Sequence, residues 1–353
     1  MIRPTIQQVA KHAKVSTQTI SRVINDSPRV APQTRERVLA VVKELGYEPN
    51  SLARSLVTRR TRTIGVVVYD IANPFYGQLV RGIEDAAFDL GYDLIIGNSD
   101  ADPAKDLSYL RLFSRRWVDG ILATIGNPSE NDLGVWTHAP CPVVFLDKFF
   151  SSEECSYVTA NNREAARHAI VHLLELGHRR ISIVTASLTT SGAVHDRFLG
   201  YREALTDRGI PVDAALIGTC DQQTEEGGYR AARELLCIAE RPTAIFCIND
   251  TTAIGALRAI YEAGLEIPRD ISVVGFDDIP VASLLRVPLT TVAQPIHNMG
   301  AAAVALLKER IECGPQLPHR QIVLHAHLVV RESTAPPRAR GEPQDRRIGT
   351  REG

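Results

Sequence analysis

Nine residues between positions 73 and 294 share one chemical capability: each can pair with a hydroxyl group or lay a flat face against a sugar-like ring. Asp147, Asn249, Asp277 and Gln294 are carboxylates and amides at or just beyond the ends of apolar runs, and Arg197 follows a Ser/Thr/Gly-rich stretch. Such groups form bidentate hydrogen bonds. Asn73, Phe75 and Tyr76, in NPFY after the first apolar run, add an amide and two aromatic faces, and Lys148 sets a cation beside Asp147. A cleft mixing these groups suits a polyhydroxyl ligand whose C–H faces stack and whose hydroxyls are each paired. Taken singly, each has a plainer role, and Asn249 or Asp250 would serve equally as the N-cap of the next helix. A second set sits near the start of the chain. Thr17, Gln18, Ser21 and Arg22 fall on one side of a short amphipathic segment, with Ile20, Val23 and Ile24 on the other. Short hydrogen-bonding side chains and a guanidinium at a helix start can reach base edges in a major groove.

Catalysis finds no support. There is no G-x-G-x-x-G after the first apolar run, no G-x-x-x-x-G-K-[ST], no G-x-S-x-G and no H-E-x-x-H. His168 and His172 stand four apart on a predicted helix with His178 near, and His325 and His327 share a strand face; these read as solvated faces rather than metal ligands. Asp277 and Asp278 are strand neighbours and point to opposite sides. The expectation is a non-enzymatic protein without cofactor or metal.

The groove-reading set needs a scaffold, and the flanking sequence supplies one. Thr5 and Gln8 form a capping box that starts a helix at Ile6. Ser16 caps a second helix over Thr17 to Asn25, and Pro32 opens a third that buries Val38, Val41, Val42 and Leu45 before Gly46 stops it. Residues 1–62 carry twelve Lys or Arg against four Asp or Glu, leaving 28 basic against 37 acidic residues in the remainder. A basic head on an acidic body is the signature of a nucleic-acid-binding module joined to something else.

The run TIQQVAKHAKVSTQTISRVIN, followed by ELGYEPNSLARSL, resembles the DNA-binding head of the lactose-repressor (LacI) family of bacterial transcription regulators. It departs from that pattern at Lys14, where glycine is common, and at Ala31, where the third helix usually has a serine cap. The resemblance implies a homodimer on double-stranded operator DNA. Its contacts would come from Thr5, Thr17, Gln18, Ser21, Arg22 and Asn25, and from Asn50, Ala53, Arg54 and Leu56. Asn50 can cap a stub of about six residues, too short to be stable alone, so it should form only when a second copy packs against it on DNA. Ala53 is small enough for close approach. Leu56 either wedges into the minor groove, as the resemblance implies, or packs on the following domain.

From Thr63 the pattern becomes short apolar runs alternating with amphipathic helices, which predicts a parallel α/β body. The expected fold is therefore a small all-α helix-turn-helix head plus an α/β body of two doubly wound parallel-sheet subdomains in a clamshell. Its expected divisions are a head over 1–48, a hinge helix and linker over 49–62, a body over 63–332 and a disordered tail over 333–353. Within the body the first subdomain should take about 63–161 and 291–319, and the second 162–290 and 320–332, with 321–330 as a final strand or hairpin. Ligands in such sheets sit at the carboxyl ends of the strands. The body is similar to ribose-type periplasmic sugar-binding proteins, which implies ligand contacts from Asn73, Phe75, Tyr76, Asp147, Arg197, Asn249, Asp277 and Gln294. Lys148 stands where that pattern has arginine and Gln222 where an aromatic often closes the stack, so an aldose, a sugar acid or a sugar phosphate all fit.

No apolar run is long enough to span a membrane and the basic start lacks a signal-peptide core, which predicts a cytoplasmic, nucleoid-bound protein. Six scattered cysteines, none in a C-x-x-C pair, read as buried reduced thiols. The function these readings favour is a transcriptional regulator, in the first instance a repressor, controlled by a sugar or sugar derivative. A global catabolite-type regulator with a protein corepressor and a sugar receptor without transcriptional role are the alternatives. Arg22→Ala should cost specific operator binding about 1–3 kcal/mol while leaving non-specific binding nearly intact. Loss of Arg59 should lower affinity for all sequences alike. Salt-controlled titrations on operator and random duplexes measure both, and equal losses on the two duplexes for Arg22→Ala would contradict its role in reading bases.

Overall fold

The computed structural model describes residues 4–24, 27–47, 60–115, 118–126, 130–148, 154–186, 192–314 and 316–338, and it divides into two compact units, 1–62 and 63–353. In the first unit, α1 (Ile6–Ala13) begins with both halves of the capping box, Thr5 and Gln8 each bonding the other's backbone N–H. Lys14 ends it with φ 52° and ψ 47°, a left-handed conformation that explains why glycine suits this position. Ser16 Oγ accepts from Thr19 N at 3.1 Å and starts α2 (Thr17–Ile24). Pro32 opens α3 (Pro32–Leu45), Ala31 offers it no side-chain cap, and Gly46 closes it at φ 61°. Val9, Ala13, Ile20 and Val38 are fully buried between the three helices. Val41, Val42 and Leu45, expected in this core, are only half-buried against it. Asn25, Asn50, Ala53, Arg54 and Leu56 lie outside the described residues, as does the stub expected at 49–56.

The second unit contains two six-stranded sheets. The first sheet uses β1 (Thr63–Val68), β2 (Asp93–Asn98), β3 (Gly120–Ala123), β4 (Val143–Leu146), β5 (Ser156–Ala160) and β11 (Gln321–Leu324), in the order β11-β5-β4-β3-β1-β2, all parallel. The second uses β6 (Ile181–Ala186), β7 (Ile217–Cys220), β8 (Ala244–Cys247), β9 (Ser272–Asp277), β10 (Thr290–Ala293) and β12 (His327–Val329), in the order β12-β10-β9-β8-β6-β7. Only β12 runs antiparallel there. Central strands such as β4, β8 and β9 are buried at every position, as two-sided helix cover requires.

The helices are α4 (Pro74–Asp89), α5 (Pro103–Arg115), α6 (Glu130–Thr137), α7 (Asn162–Glu175), α8 (Ala193–Thr206), α9 (Glu225–Cys237), α10 (Asp250–Glu262) and α11 (Ile296–Cys313). The pair α4 and α11 meets at glycines. A Cβ on Gly82 would lie 2.4 Å from His297 O, and one on Gly300 2.7 Å from Ile83 N, so the two backbones touch.

Several expectations need correcting. Thr290–Ala293 belongs to the second sheet, paired with β9, although residues from 291 were expected in the first subdomain. Residues 321–330 are neither one strand nor a hairpin: β11 pairs with β5 in the first sheet and β12 with β10 in the second. Asn161 makes the break, its N–H donating to Leu324 O and its Oδ1 accepting from Ala326 N. Strand-like alternation runs unbroken through His325 and Ala326 and so conceals the crossing. The helix carrying Arg197 starts at Ala193, which puts Arg197 on its second turn.

The tail differs too. Ser333 is fully buried, its Oγ donating to Val273 O and accepting from Thr290 N at 2.8 Å. Ala335 O meets His178 Nε2 at 2.9 Å and Thr334 Oγ1 meets His172 Nε2 at 3.0 Å, so these histidines anchor the tail instead of facing solvent. Residues 339–353 lie outside the described residues. Cys155, Cys220 and Cys247 are buried and Cys141 half-buried, but Cys237 and Cys313 are exposed. Ending the chain at Glu332 should cost about 2–4 kcal/mol, the net worth of these hydrogen bonds. Chemical denaturation measures it, and an unchanged midpoint would show that the tail contributes nothing.

Candidate ligand cleft and nucleic-acid interface

The carboxyl ends of both sheets converge on Arg197, which is 3% exposed. Its Nε donates to Asn162 Oδ1 at 2.8 Å and its Nη1 to Ile248 O at 2.7 Å. The guanidinium lies 3.8 Å from the centroid of the Phe276 ring, a cation–π contact. Its remaining donors face two carboxylates without closing on them: Asp277 Oδ1 at 3.6 Å from Nη1 and Asp147 Oδ1 at 3.9 Å from Nη2. Asp147 follows β4 of the first sheet and Asp277 ends β9 of the second. Both take positive φ, 53° and 114°, a strained backbone of the kind that clusters at binding sites. Burial raises both carboxyls above their ordinary range and the Arg197 charge opposes it; burial likewise lowers Lys148, with Asp147 and Asp106 opposing.

A cavity of about 160 Å³ opens beside this cluster, with Tyr76, Asp147, Lys148 and Arg197 among its walls. Tyr69 and Tyr76 stack at 5.7 Å and form its flat side. Two buried polar atoms of its wall have no hydrogen-bond partner, Asp147 Oδ1 and His195 Nδ1, and neither does Gln294 Oε1 behind the wall. Buried polar groups are nearly always paired, so a cavity whose wall leaves two open suits a ligand's donors and acceptors.

The expected residues fall into layers. Asn73 and Gln222 line an adjoining cavity of about 220 Å³ that shares Tyr69, Tyr76, Asp221 and Gln223 with the first. Asn249, Asp277 and Gln294 stand behind the wall. Asn249 caps α10 through Thr252 N and donates to Gln223 Oε1 at 3.3 Å, while Gln294 Nε2 donates to Asp277 Oδ1 at 2.8 Å. Phe75 does not reach the cavity; it lies in the core, edge-on to Tyr76 at 5.0 Å. Tyr69, His195, Asp221, Gln223 and Asn162 were not anticipated. Tyr69 and Gln223 were within reach, each being next to a residue already singled out or at the end of a predicted strand.

In the head, Thr5, Thr17, Gln18 and Arg22 are exposed and Ser21 half-exposed, while Ile20 and Val23 on the opposite side of α2 are buried. The polar face is therefore presented as a groove-reading helix requires. Among the described residues no helix is long and apolar enough to cross a membrane, and no group of three or more His, Cys, Asp or Glu could hold a metal ion.

A helix-turn-helix head and a two-sheet body with a polar cleft define a ligand-responsive DNA-binding regulator. Residues 5–50 match the bacterial regulatory proteins of the lacI family, and residues 170–334 match the periplasmic binding protein-like domain. The chain is 38% identical to catabolite control protein A of Priestia megaterium over 90% of its own length and 97% of that protein's. Among solved structures it resembles a transcriptional regulator CelR–cellobiose complex (35% identity, TM-score 0.72, covering 94% of this chain and all of that one). It also resembles the lac repressor dimer bound to operator and the anti-inducer ONPF (28% identity, TM-score 0.83, covering 95% of this chain and all of that one). The chain belongs to the lacI family of bacterial regulatory proteins, DNA-binding transcription regulators that are not enzymes.

Asp250, behind the cleft, carries a pH dependence. It accepts from Thr291 Oγ1 at 2.6 Å and Ile279 N at 2.9 Å, and burial pushes its carboxyl up to about 7. The unfolded chain releases this proton at about 3.9, so the folded protein holds it more tightly. The associated stability is fully present below the unfolded value and is lost as pH rises toward about 7. Denaturant titrations across this window should show the decline, and Asp250→Asn should flatten it; an unaltered slope would contradict the assignment.

Proposed function

We propose that this protein represses transcription as a homodimer on operator DNA and that a neutral sugar or sugar derivative in the cleft sets its operator affinity. The observation that carries the ligand class is the pair of buried atoms without hydrogen bonds, Asp147 Oδ1 and His195 Nδ1, in the same cavity wall as stacked Tyr69 and Tyr76. Hydroxyls satisfy both kinds of polar group and a ring's C–H face suits the tyrosines. Charge agrees, since Asp147 and Asp221 offset Lys148 and Arg197 around the cavity. The cellobiose bound to the similar CelR regulator supports the same class.

Thr5, Thr17, Gln18, Ser21 and Arg22 are the proposed DNA contacts, together with Asn25, Asn50, Ala53, Arg54 and Leu56. Phe88 and Ile96, apolar yet 75% and 47% exposed on α4 and the edge strand β2, support a dimer surface on the first half. The protein would act in the cytoplasm on chromosomal DNA. A ligand shifts operator affinity only by binding one arrangement of the two halves better than another.

Fluorescence anisotropy on operator DNA, with ribose, cellobiose and related sugars titrated in, tests this. One of them should change operator affinity, and Arg197→Ala should remove about 2–5 kcal/mol of its binding without altering operator binding in its absence. A response that persists in both Arg197→Ala and Asp147→Ala would place the ligand elsewhere.

A further inference from the structure

A second cavity, of about 310 Å³, lies at the edge of the first sheet where its strands begin, the edge opposite the cleft. It is walled by the residues that open β4 and β5 and by the last turn of α11. Arg310 stands in that wall, 7% exposed. Its Nη1 donates to Ser156 Oγ at 3.2 Å and Leu317 O at 3.4 Å, while its Nε is buried with no partner. Among the described residues no carboxylate forms an ion pair with it, and burial alone lowers the guanidinium from its ordinary range. Guanidinium has five N–H donors and no acceptor, and a buried charge without a counter-charge is costly. The fold therefore holds a cation with unused donors at the wall of an internal space.

We propose that this cavity is a second small-molecule site, for an organic monocarboxylate whose carboxylate pairs with Arg310. The rest of the wall selects the class. Trp136, Pro140, Pro142, Val143 and Phe145 present apolar surface, which suits a hydrocarbon or aromatic body. Thr137, Glu154, Ser156 and His319 join Arg310 as the wall's polar side chains, fewer than line the cleft, so a sugar's hydroxyls would find fewer partners here. Glu154 shares the cavity and opposes a phosphate dianion. Ser156 Oγ, already receiving Arg310, also meets His319 Nδ1 at 3.3 Å and Arg320 N at 3.2 Å, so the cation is fixed in position. The site is independent of the cleft reading. It is joined to the cleft by β4, which runs from Val143 in this wall to Asp147 in the cleft, and by α11, which begins beside Gln294 and carries Arg310 near its far end.

Calorimetry on the full-length protein with octanoate, benzoate, inorganic phosphate and glucose tests the proposal. Octanoate or benzoate should bind saturably at one per chain. Arg310→Gln should weaken that binding roughly thirtyfold or more. Ala139→Phe, which fills the same cavity and keeps the cation, should abolish it, and it decides the matter if Arg310→Gln does not fold. No saturable carboxylate binding, or binding that survives Ala139→Phe, overturns the site. Phosphate or glucose binding there in place of the carboxylates overturns the ligand class.

Discussion

One buried guanidinium organises the body. Arg197 sits on α8 of the second half, with Asp277 of that half on one side and Asp147 of the first half on the other. Neither separation, 3.6 and 3.9 Å, is that of a formed hydrogen bond. Arg197 is instead held by neutral acceptors of the second half, Asn162 Oδ1 and Ile248 O, and by the face of Phe276. The cation is thus fixed to one half while its charge is left for whatever enters the cleft. A buried ion pair at such distances recovers little of its desolvation cost, and that shortfall is what a bound hydroxyl can reduce.

Backbone strain and buried atoms without hydrogen bonds coincide around this guanidinium. Asp147 and Asp277 adopt positive φ at strand ends, and Asp147 Oδ1, His195 Nδ1 and Gln294 Oε1 are buried without partners. Behind the cleft the packing is tied by hydrogen bonds: Asp250 joins α10 to Ile279 and Thr291, and Ser333 joins the tail to β9 and β10. An unsatisfied boundary between two halves is what a ligand-biased equilibrium between arrangements needs. The head is a different kind of object, a small three-helix unit whose core is six buried side chains and whose α2 leaves Thr17, Gln18 and Arg22 exposed.

Much of this was legible from residue order. Caps at Thr5, Ser16 and Gly46 are local chemistry and stand where expected. Strand ends are marked by apolar runs that stop, so Asp147, Asn249 and Asp277 could be found, and Arg197 by its place after a polar loop. What was hidden is direction and distance. Phe75 and Tyr76 are adjacent on one helix, and only packing decides that Tyr76 faces the cavity while Phe75 faces the core. Gln222 and Gln223 differ by one step in a loop without period, and Gln223 takes the place beside Asn249. The crossing at His325–Ala326 is made by Asn161, 164 residues away from His325, and no local pattern records it. Arg310 near a helix end reads as an ordinary solvated cation until α11 is packed on the first sheet.

The native cysteines Cys237 and Cys313 are exposed, one ending α9 of the second half and the other ending α11 on the first. Spin labels on this pair, with the other cysteines replaced and labelled chains diluted into unlabelled protein, report the separation of the halves by pulsed dipolar spectroscopy. The scheme predicts that the sugar that alters operator affinity also shifts this distance distribution, and that Arg197→Ala abolishes the shift. An identical distribution with and without that sugar, at concentrations that change operator binding, would contradict it.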